Sequence, residues 1–334
     1  MSRRSENRNR GRGLAMLAAL ALAAIATVSG GNAGVARAQQ IVADGSSTVY
    51  PITAEAARRT DTRIDNNFSG TTAGFRRFCA GETQISNASR PIDNDEIAAC
   101  ADAGIAFVEL PVAFDALAVV VNPANDWATS ITVDELRRLW EPAAEGVIMT
   151  WRQIRAEWPD RPVTLYGRGR DSGTYDYFTG VIVGKTRASR HDYQASENEE
   201  ELAAAIASDP NALGFFGVGA YFRHWEELKD LAVDSGQGPV HPALREVLSG
   251  RYQPLGRPLF LYVDAAALKS NPQMSRFLRG YLSDMRNWVH FTGYMPLSAV
   301  AYDKALARVD AGTTGTRFNG ALQVGIGIDD LYNN

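Results

Sequence analysis

The sequence predicts an α/β protein of two lobes, each a mostly parallel sheet flanked by helices, with a ligand cleft between them. Three observations predict it. Short apolar or β-branched runs alternate with helix-patterned segments along the chain after residue 38, as repeated strand–helix units require. Several strand-to-helix turns are built from glycines and hydroxyl residues. Two apolar runs, 111–121 and 257–263, suit crossings between lobes, which makes lobe 1 discontinuous (39–120 plus 258–334) and lobe 2 contiguous (121–257).

The chain opens with Arg3, Arg4, Arg8, Arg10 and Arg12, then an uncharged apolar run over 14–28, then Ala36-Arg37-Ala38. A basic head, a short apolar core and small residues at the cleavage positions predict a secretory signal peptide over 1–38, cut near Ala38. Its apolar core is short for a membrane span. Arg3-Arg4 leaves twin-arginine export open beside the general route, although the rest of that motif is missing. Residues 1–38 hold six arginines and one glutamate, so removing them takes the formal net charge from −4 to −9. An acidic mature chain argues against nucleic acid or an anionic membrane as partner, and any anionic ligand must be held by a local site. Cys79 and Cys100, in an exported chain, are predicted to be bridged, with two buried free thiols as the alternative.

Taken in order, 41–44 is a short strand, Gly45-Ser46-Ser47-Thr48-Val49-Tyr50-Pro51 a turn, and 52–59 a helix with Pro51 in its first turn. The unit repeats: 63–68 alternates as a strand, Ser69-Gly70-Thr71-Thr72-Ala73-Gly74 turns, and 75–79 starts a helix stopped by Gly81. A strand over 83–88 runs into Ser89-Arg90-Pro91, where Pro91 holds Arg90 out of the helical region at a strand end. A helix over 93–100 and a strand over 105–110 precede the first crossing. Beyond it, Thr132-Val133-Asp134-Glu135 and Ser196-Glu197-Asn198-Glu199 each read as a capping box, for helices to 140 and 208. The run 211–216 is a strand whose sequel Gly217-Val218-Gly219 opens a helix to about 229. Helices over 272–290 and 298–309 follow the return crossing, and the segment from Asp310 reads as loosely structured.

Between the two capping boxes lies the most informative stretch. The strand 163–166 leads into Arg168-Gly169-Arg170-Asp171-Ser172-Gly173-Thr174, and 175–183 has helical spacing. Free N–H groups at a helix start, hydroxyls on Ser172 and Thr174, a glycine for close approach and a forked guanidinium together suit a tetrahedral oxyanion. A capped helix after a turn is the alternative reading of the same residues. Asp171-Ser172-Gly173 also has the look of a hydrolase serine, but nucleophilic catalysis needs a nearby base, and His191, His224, His241 and His290 stand in no matching context. A secreted phosphatase is therefore the lesser alternative to a binding protein. Neither a metal site nor a cofactor is expected.

On these residues the chain resembles the phosphate-binding proteins of ABC-type phosphate importers, which are periplasmic two-lobed solute-binding proteins. The resemblance covers essentially the whole mature chain and is strongest at 44–51, Gly70-Thr71-Thr72-Ala73-Gly74, Ser89-Arg90-Pro91 and Arg168-x-x-x-Ser172-Gly173-Thr174. It implies a monomer that binds inorganic phosphate and delivers it to a membrane permease without catalysis. It implies anion contacts from Ser47 and Thr48, from Thr71, and from Arg168, Ser172, Gly173 and Thr174. In the first turn Val49 is an alternative donor through its N–H. One position departs: many family members have an aspartate, acceptor for the proton of hydrogen phosphate, where this chain has Arg90. An arginine there is a further donor, which leaves Asp44, Asp115 or Asp171 to supply the acceptor and leaves sulfate and arsenate as alternative ligands.

Overall fold

The strand Ile41–Gly45 (β1) lies at the centre of three parallel strands, flanked by Ile64–Asn66 (β2) on one side and Ile85–Ala88 (β3) on the other. The computed structural model describes residues 40–322 and Leu331, so the predicted signal peptide lies outside the described residues. β1 and β3 are almost wholly buried, their polar members Asp44, Ser86 and Asn87 included. Helix Tyr50–Arg59 (α1) follows β1 with a proline in its first turn, and Thr71–Cys79 (α2) follows β2. The predicted turn at 71–74 is thus already helical. Cys79 and Cys100, the latter in helix Asn94–Asp102 (α3), form a disulfide.

The two apolar runs 111–121 and 257–263 both lie in strands, each longer than its run. Phe107–Val121 (β4) is one fifteen-residue strand, buried throughout, which joins the run at 105–110 to the crossing at 111–121. It pairs over residues 107–116 with strand Gly256–Asp264 and over 117–121 with Ala212–Gly217. Pro111, which has no N–H for the ladder, sits next to a register shift where Ala113 faces Leu259 and Pro111 faces Phe260. That shift leaves Val112 over, and its carbonyl is taken by the Tyr302 hydroxyl at 2.9 Å.

A single sheet path therefore runs β2, β1, β3, Gly256–Asp264, β4, Ala212–Gly217, Thr164–Arg168, Gln194–Ser196. The expectation of mostly parallel sheets needs a correction. The outer strands of this path are parallel, but Gly256–Asp264 is antiparallel to both β3 and β4, and β4 is antiparallel to Ala212–Gly217. The two long buried strands lie side by side and run in opposite directions, so they pair antiparallel.

Three helix assignments also differ. The helix over 199–208 is capped by Asn198, whose side chain accepts from the Glu200 N–H, and not by Ser196. Ser196 instead belongs to strand Gln194–Ser196, where it is the register partner of Arg168. The helix after Gly217 ends at Arg223, because Lys229–Asp230 is drawn into the sheet beside Val120 and Val121. The helix from Pro272 stops at Ser283 and continues as short 3₁₀ turns to Thr292. Among the described residues no helix is long and apolar enough to cross a membrane.

Candidate functional site

Three turns meet at one place. The first follows β1, where the Ser46 N–H is tied to the Asn87 carbonyl at 2.9 Å, leaving Ser47 and Thr48 ahead of α1. The second is the start of α2. Gly70 has φ +96°, and a Cβ there would lie 2.4 Å from the Asp171 carbonyl oxygen, so only glycine lets the two turns touch. The Thr72 N–H donates to that same Asp171 carbonyl at 2.8 Å. The third is the turn after strand Thr164–Arg168. Ser172 caps the helix Gly173–Phe178 by accepting from the Thr174 N–H at 3.1 Å. A Cβ on Gly173 would lie 2.6 Å from Thr71 Oγ1 and 2.8 Å from Ser89 Oγ.

Arg168 is the centre of this arrangement and is only 1 % exposed. Its Nε donates to Ser172 Oγ at 3.2 Å, and its Nη2 donates to Ser47 Oγ at 2.6 Å, 121 positions away in sequence. Nη2 also donates to the Glu197 carbonyl, and Nη1 faces Glu199 Oε1 at 3.2 Å. Ser47 Oγ and Ser172 Oγ, having accepted from a cation, keep their own protons free to donate. The same holds for Thr174, whose Oγ1 accepts from Arg257 Nη2 at 2.9 Å. Thr71 Oγ1 accepts from the Ser89 N–H at 3.2 Å and lies 3.1 Å from Ser89 Oγ. The result is several hydroxyl donors and a buried guanidinium on one spot, an arrangement chemically suited to a small multiply charged oxyanion.

Of the residues expected at the site, Ser47, Thr71, Arg168, Ser172, Gly173 and Thr174 are linked to one another by these contacts. Thr48 is adjacent but its hydroxyl donates to Glu199 Oε1 at 2.9 Å. Arg90 is placed otherwise, and its expected grip on the anion needs a correction. Its Nε donates to Asp176 at 2.6 Å, its Nη1 to Glu96 at 2.7 Å and to the Pro91 carbonyl, and its Nη2 to Glu96 at 2.6 Å and to Thr72 Oγ1. With each of these nitrogens engaged, its guanidinium is spent on carboxylates. The neighbour that does reach the site is Ser89, whose hydroxyl is buried against Thr71.

The three carboxylates considered as acceptors fare differently. Asp44 accepts from the Gly45 and Ser69 N–H groups, the Ser69 hydroxyl and Arg77, so it is occupied in bracing β1. Asp171 is 41 % exposed and pairs with Arg76. Asp115 is fully buried and pairs through Oδ2 with Arg257, its register partner on the adjacent crossing strand, at 2.8 Å. Burial pushes its carboxyl up to about 6, against the pull of Arg257.

Sequence reading missed Arg257, Asp115's role as its partner, and Glu199. Asp115 and Arg257 sit in apolar runs read as crossings, and a lone charge in such a run was the available signal. Glu199 was absorbed into a capping box. Four buried atoms of this group have no hydrogen-bond partner: Arg168 Nη1, Glu199 Oε2, Arg257 Nη1 and Asp115 Oδ1. Buried polar atoms left unpaired are costly, and four of them lie together around Arg168 and Arg257. Among the described residues no group of His, Cys, Asp and Glu is arranged to hold a metal ion.

A mixed α/β sheet with two long crossing strands, and strand-end turns converging on a buried arginine, defines a solute-binding protein. Residues 30–284 match the sequence model of a family described as "PBP superfamily domain". The chain belongs to that superfamily and, within it, to the family that includes PstS. It is 45 % identical over 298 residues to "Protein SphX" of Synechocystis sp., which covers 88 % of this chain and 89 % of that one. It is 31 % identical over 271 residues to "Phosphate-binding protein PstS" of Staphylococcus epidermidis, covering 79 % of this chain and 80 % of that one. Among solved structures it resembles "a possible phosphate binding protein from Planctomyces limnophilus", at 35 % identity with a TM-score of 0.60, over 82 % of this chain and 98 % of that one.

Proposed function

We propose that this protein binds inorganic phosphate outside the cytoplasm and hands it to the membrane permease of an ABC-type importer. The observation that carries this reading is Arg168, buried and bonded at once to Ser47 and Ser172, with Thr71, Ser89 and Gly173 packed against the same turn. Such a constellation offers hydroxyl and guanidinium protons to a tetrahedral anion, each bond to charged oxygen being worth about 1.5–3 kcal/mol. The relatives named for phosphate binding support the choice of phosphate among such anions.

In this reading Ser47, Thr48, Thr71, Arg168, Ser172, Gly173 and Thr174 are the contacts, with Ser89 added. Lobe 1 (39–120 plus 258–334) and lobe 2 (121–257) close about the crossing strands, which traps the ion and dehydrates it. The protein acts as a monomer in the periplasm after cleavage near Ala38, and it does no chemistry on its cargo.

Isothermal titration of the purified protein with phosphate tests the proposal. Wild type binds one ion per chain. Arg168→Ala, with folding checked by circular dichroism, loses at least about 100-fold in affinity, the equivalent of one or two charged hydrogen bonds. Wild-type affinity in that variant would refute the assignment of Arg168. A chromogenic phosphate ester should show no turnover, and steady turnover would refute the binding-protein reading.

A further inference from the structure

We infer that Arg187 is a positioning residue for the bound ion: from lobe 2 it grips lobe 1 behind the anion turns, and so sets how long the ion stays. The inference rests on the phosphate reading above and its hinge closure, and deepens both.

The anion turns are backed by a separate group of charges. Asp176 lies in the helix Gly173–Phe178, one helical turn beyond Gly173, and its side chain is fully buried. Its Oδ1 accepts from Arg187 Nε at 3.0 Å, and its Oδ2 accepts from Arg187 Nη2 and from the Thr72 hydroxyl, both at 3.1 Å. Thr72 stands next to Thr71 in the first turn of α2. Arg187 Nη2 also donates to Thr72 Oγ1 at 3.3 Å and to Asp93 Oδ2 at 3.2 Å. Arg187 and Asp176 belong to lobe 2, Thr72 and Asp93 to lobe 1. One guanidinium therefore spans the line where the lobes meet, beside the helix starts that carry Thr71 and Gly173.

The backbone of Arg187 supports the same role. Its φ is +63°, a left-handed conformation that is unfavourable for a residue with a Cβ. It is held there by its N–H, which donates to Thr179 Oγ1 at 2.8 Å, and by its carbonyl, which accepts from the Tyr175 hydroxyl at 3.3 Å. The loop is thus pinned to the helix that follows Ser172 and moves with it. When the lobes part, the bonds to Asp176 stay within lobe 2, while those to Thr72 and Asp93 break. Opening must break them, whereas an ion entering the open form never meets them. Arg187 accordingly slows release and leaves capture alone.

Other contacts across the same line are poorer candidates. Arg76 pairs with Asp171 at 2.8 Å, but the two side chains are 62 % and 41 % exposed, where water and salt screen the pair. Arg90 reaches Asp176 from lobe 1, but it also neutralises the buried Glu96, so its removal disturbs the fold as well as closure. Arg187 can be removed while Asp176 keeps Arg90. Asp93 caps α3 through Oδ1 and offers Oδ2 to Arg187, so asparagine there keeps the cap and gives up the charge.

The test separates release from capture. Radiolabelled phosphate is loaded on wild type, Arg187→Met, Asp93→Asn and the double variant, and chased with unlabelled ion; uptake is timed separately. Arg187→Met should release about tenfold faster than wild type with capture within about twofold, and Asp93→Asn about threefold faster. The double variant should release no faster than Arg187→Met, because the pair is already gone. Release from Arg187→Met within about twofold of wild type overturns the inference, as does slower capture that accounts for the whole loss of affinity. Multiplied effects in the double variant overturn the pairing of Arg187 with Asp93. Unchanged release from Asp93→Asn also overturns the inference, and decides it alone should Arg187→Met not fold. Wild type that takes up no phosphate overturns the phosphate reading itself.

Discussion

Replacing Gly173 by alanine exchanges a hydrogen for a methyl group at the place where the site is tightest. The new Cβ would lie 2.6 Å from Thr71 Oγ1, 2.8 Å from Thr71 Cβ and 2.8 Å from Ser89 Oγ. Carbon atoms pack at about 3.5–4.0 Å, so the turn must retreat by roughly 1 Å or push the start of α2 away. Neither neighbour can yield easily: Thr71 and Ser89 are fully buried and bonded to each other, and the turn is anchored by Thr72 N–H to Asp171 carbonyl. Overpacking of this kind costs about 1–3 kcal/mol of stability. The larger effect falls on binding, because a shift of that size misaligns the Thr174 and Thr71 hydroxyls relative to Arg168. Loss of two bonds to a charged oxygen, at about 1.5–3 kcal/mol each, predicts phosphate affinity lower by about 10²–10⁴-fold. Titration calorimetry measures the affinity and urea unfolding the stability. If Gly173→Ala bound phosphate within about threefold of wild type, the claim that this turn packs directly on Thr71 and Ser89 at the anion would be wrong.

Arg90→Met should act on stability more than on the anion: it strips the buried Glu96 of its two-pronged partner while Asp176 keeps Arg187, a loss of up to about 3–5 kcal/mol by urea unfolding. An equal loss of phosphate affinity with unchanged stability would restore Arg90 to the site. Opening the Cys79–Cys100 bridge by double substitution to serine should cost about 3 kcal/mol, set by a loop of 21 residues, and a midpoint in urea unchanged from wild type would count against it. Asp115 predicts a pH dependence. Its folded carboxyl, pushed up to about 6, holds a proton that the unfolded one has released at its ordinary 3.8, so ionising it destabilises the fold. Stability of wild type relative to Asp115→Asn should therefore fall by up to about 3 kcal/mol as pH rises from 4 to 6.5, and a difference flat in pH would show the carboxyl to be unshifted.

Much of the fold was legible because it is local. The strand 163–166, the capping box at Thr132 and the run 257–263 are written in adjacent residues, and the structure has Thr164–Arg168, a helix capped by Thr132, and Gly256–Asp264. The glycine–hydroxyl turns were legible for the same reason. Ser196 misled because Ser-x-x-Glu is a capping pattern in sequence while strand pairing with Arg168 had a prior use for that residue. Arg90 misled because its partners, Glu96 on the next helix and Asp176 86 positions on, are chosen by proximity in space.

By itself the sequence determined an α/β chain with two long apolar strands and three hydroxyl-rich turns, since backbone preference and apolar periodicity act over a few residues. Only the tertiary structure decided that the crossing strands pair antiparallel, that Arg257 and Asp115 face each other across them, and that Glu199 turns inward beside Arg168. A charge buried far from water takes whichever partner the fold brings within about 3 Å, and that choice is made by packing between segments distant along the chain, 142 positions for Asp115 and Arg257.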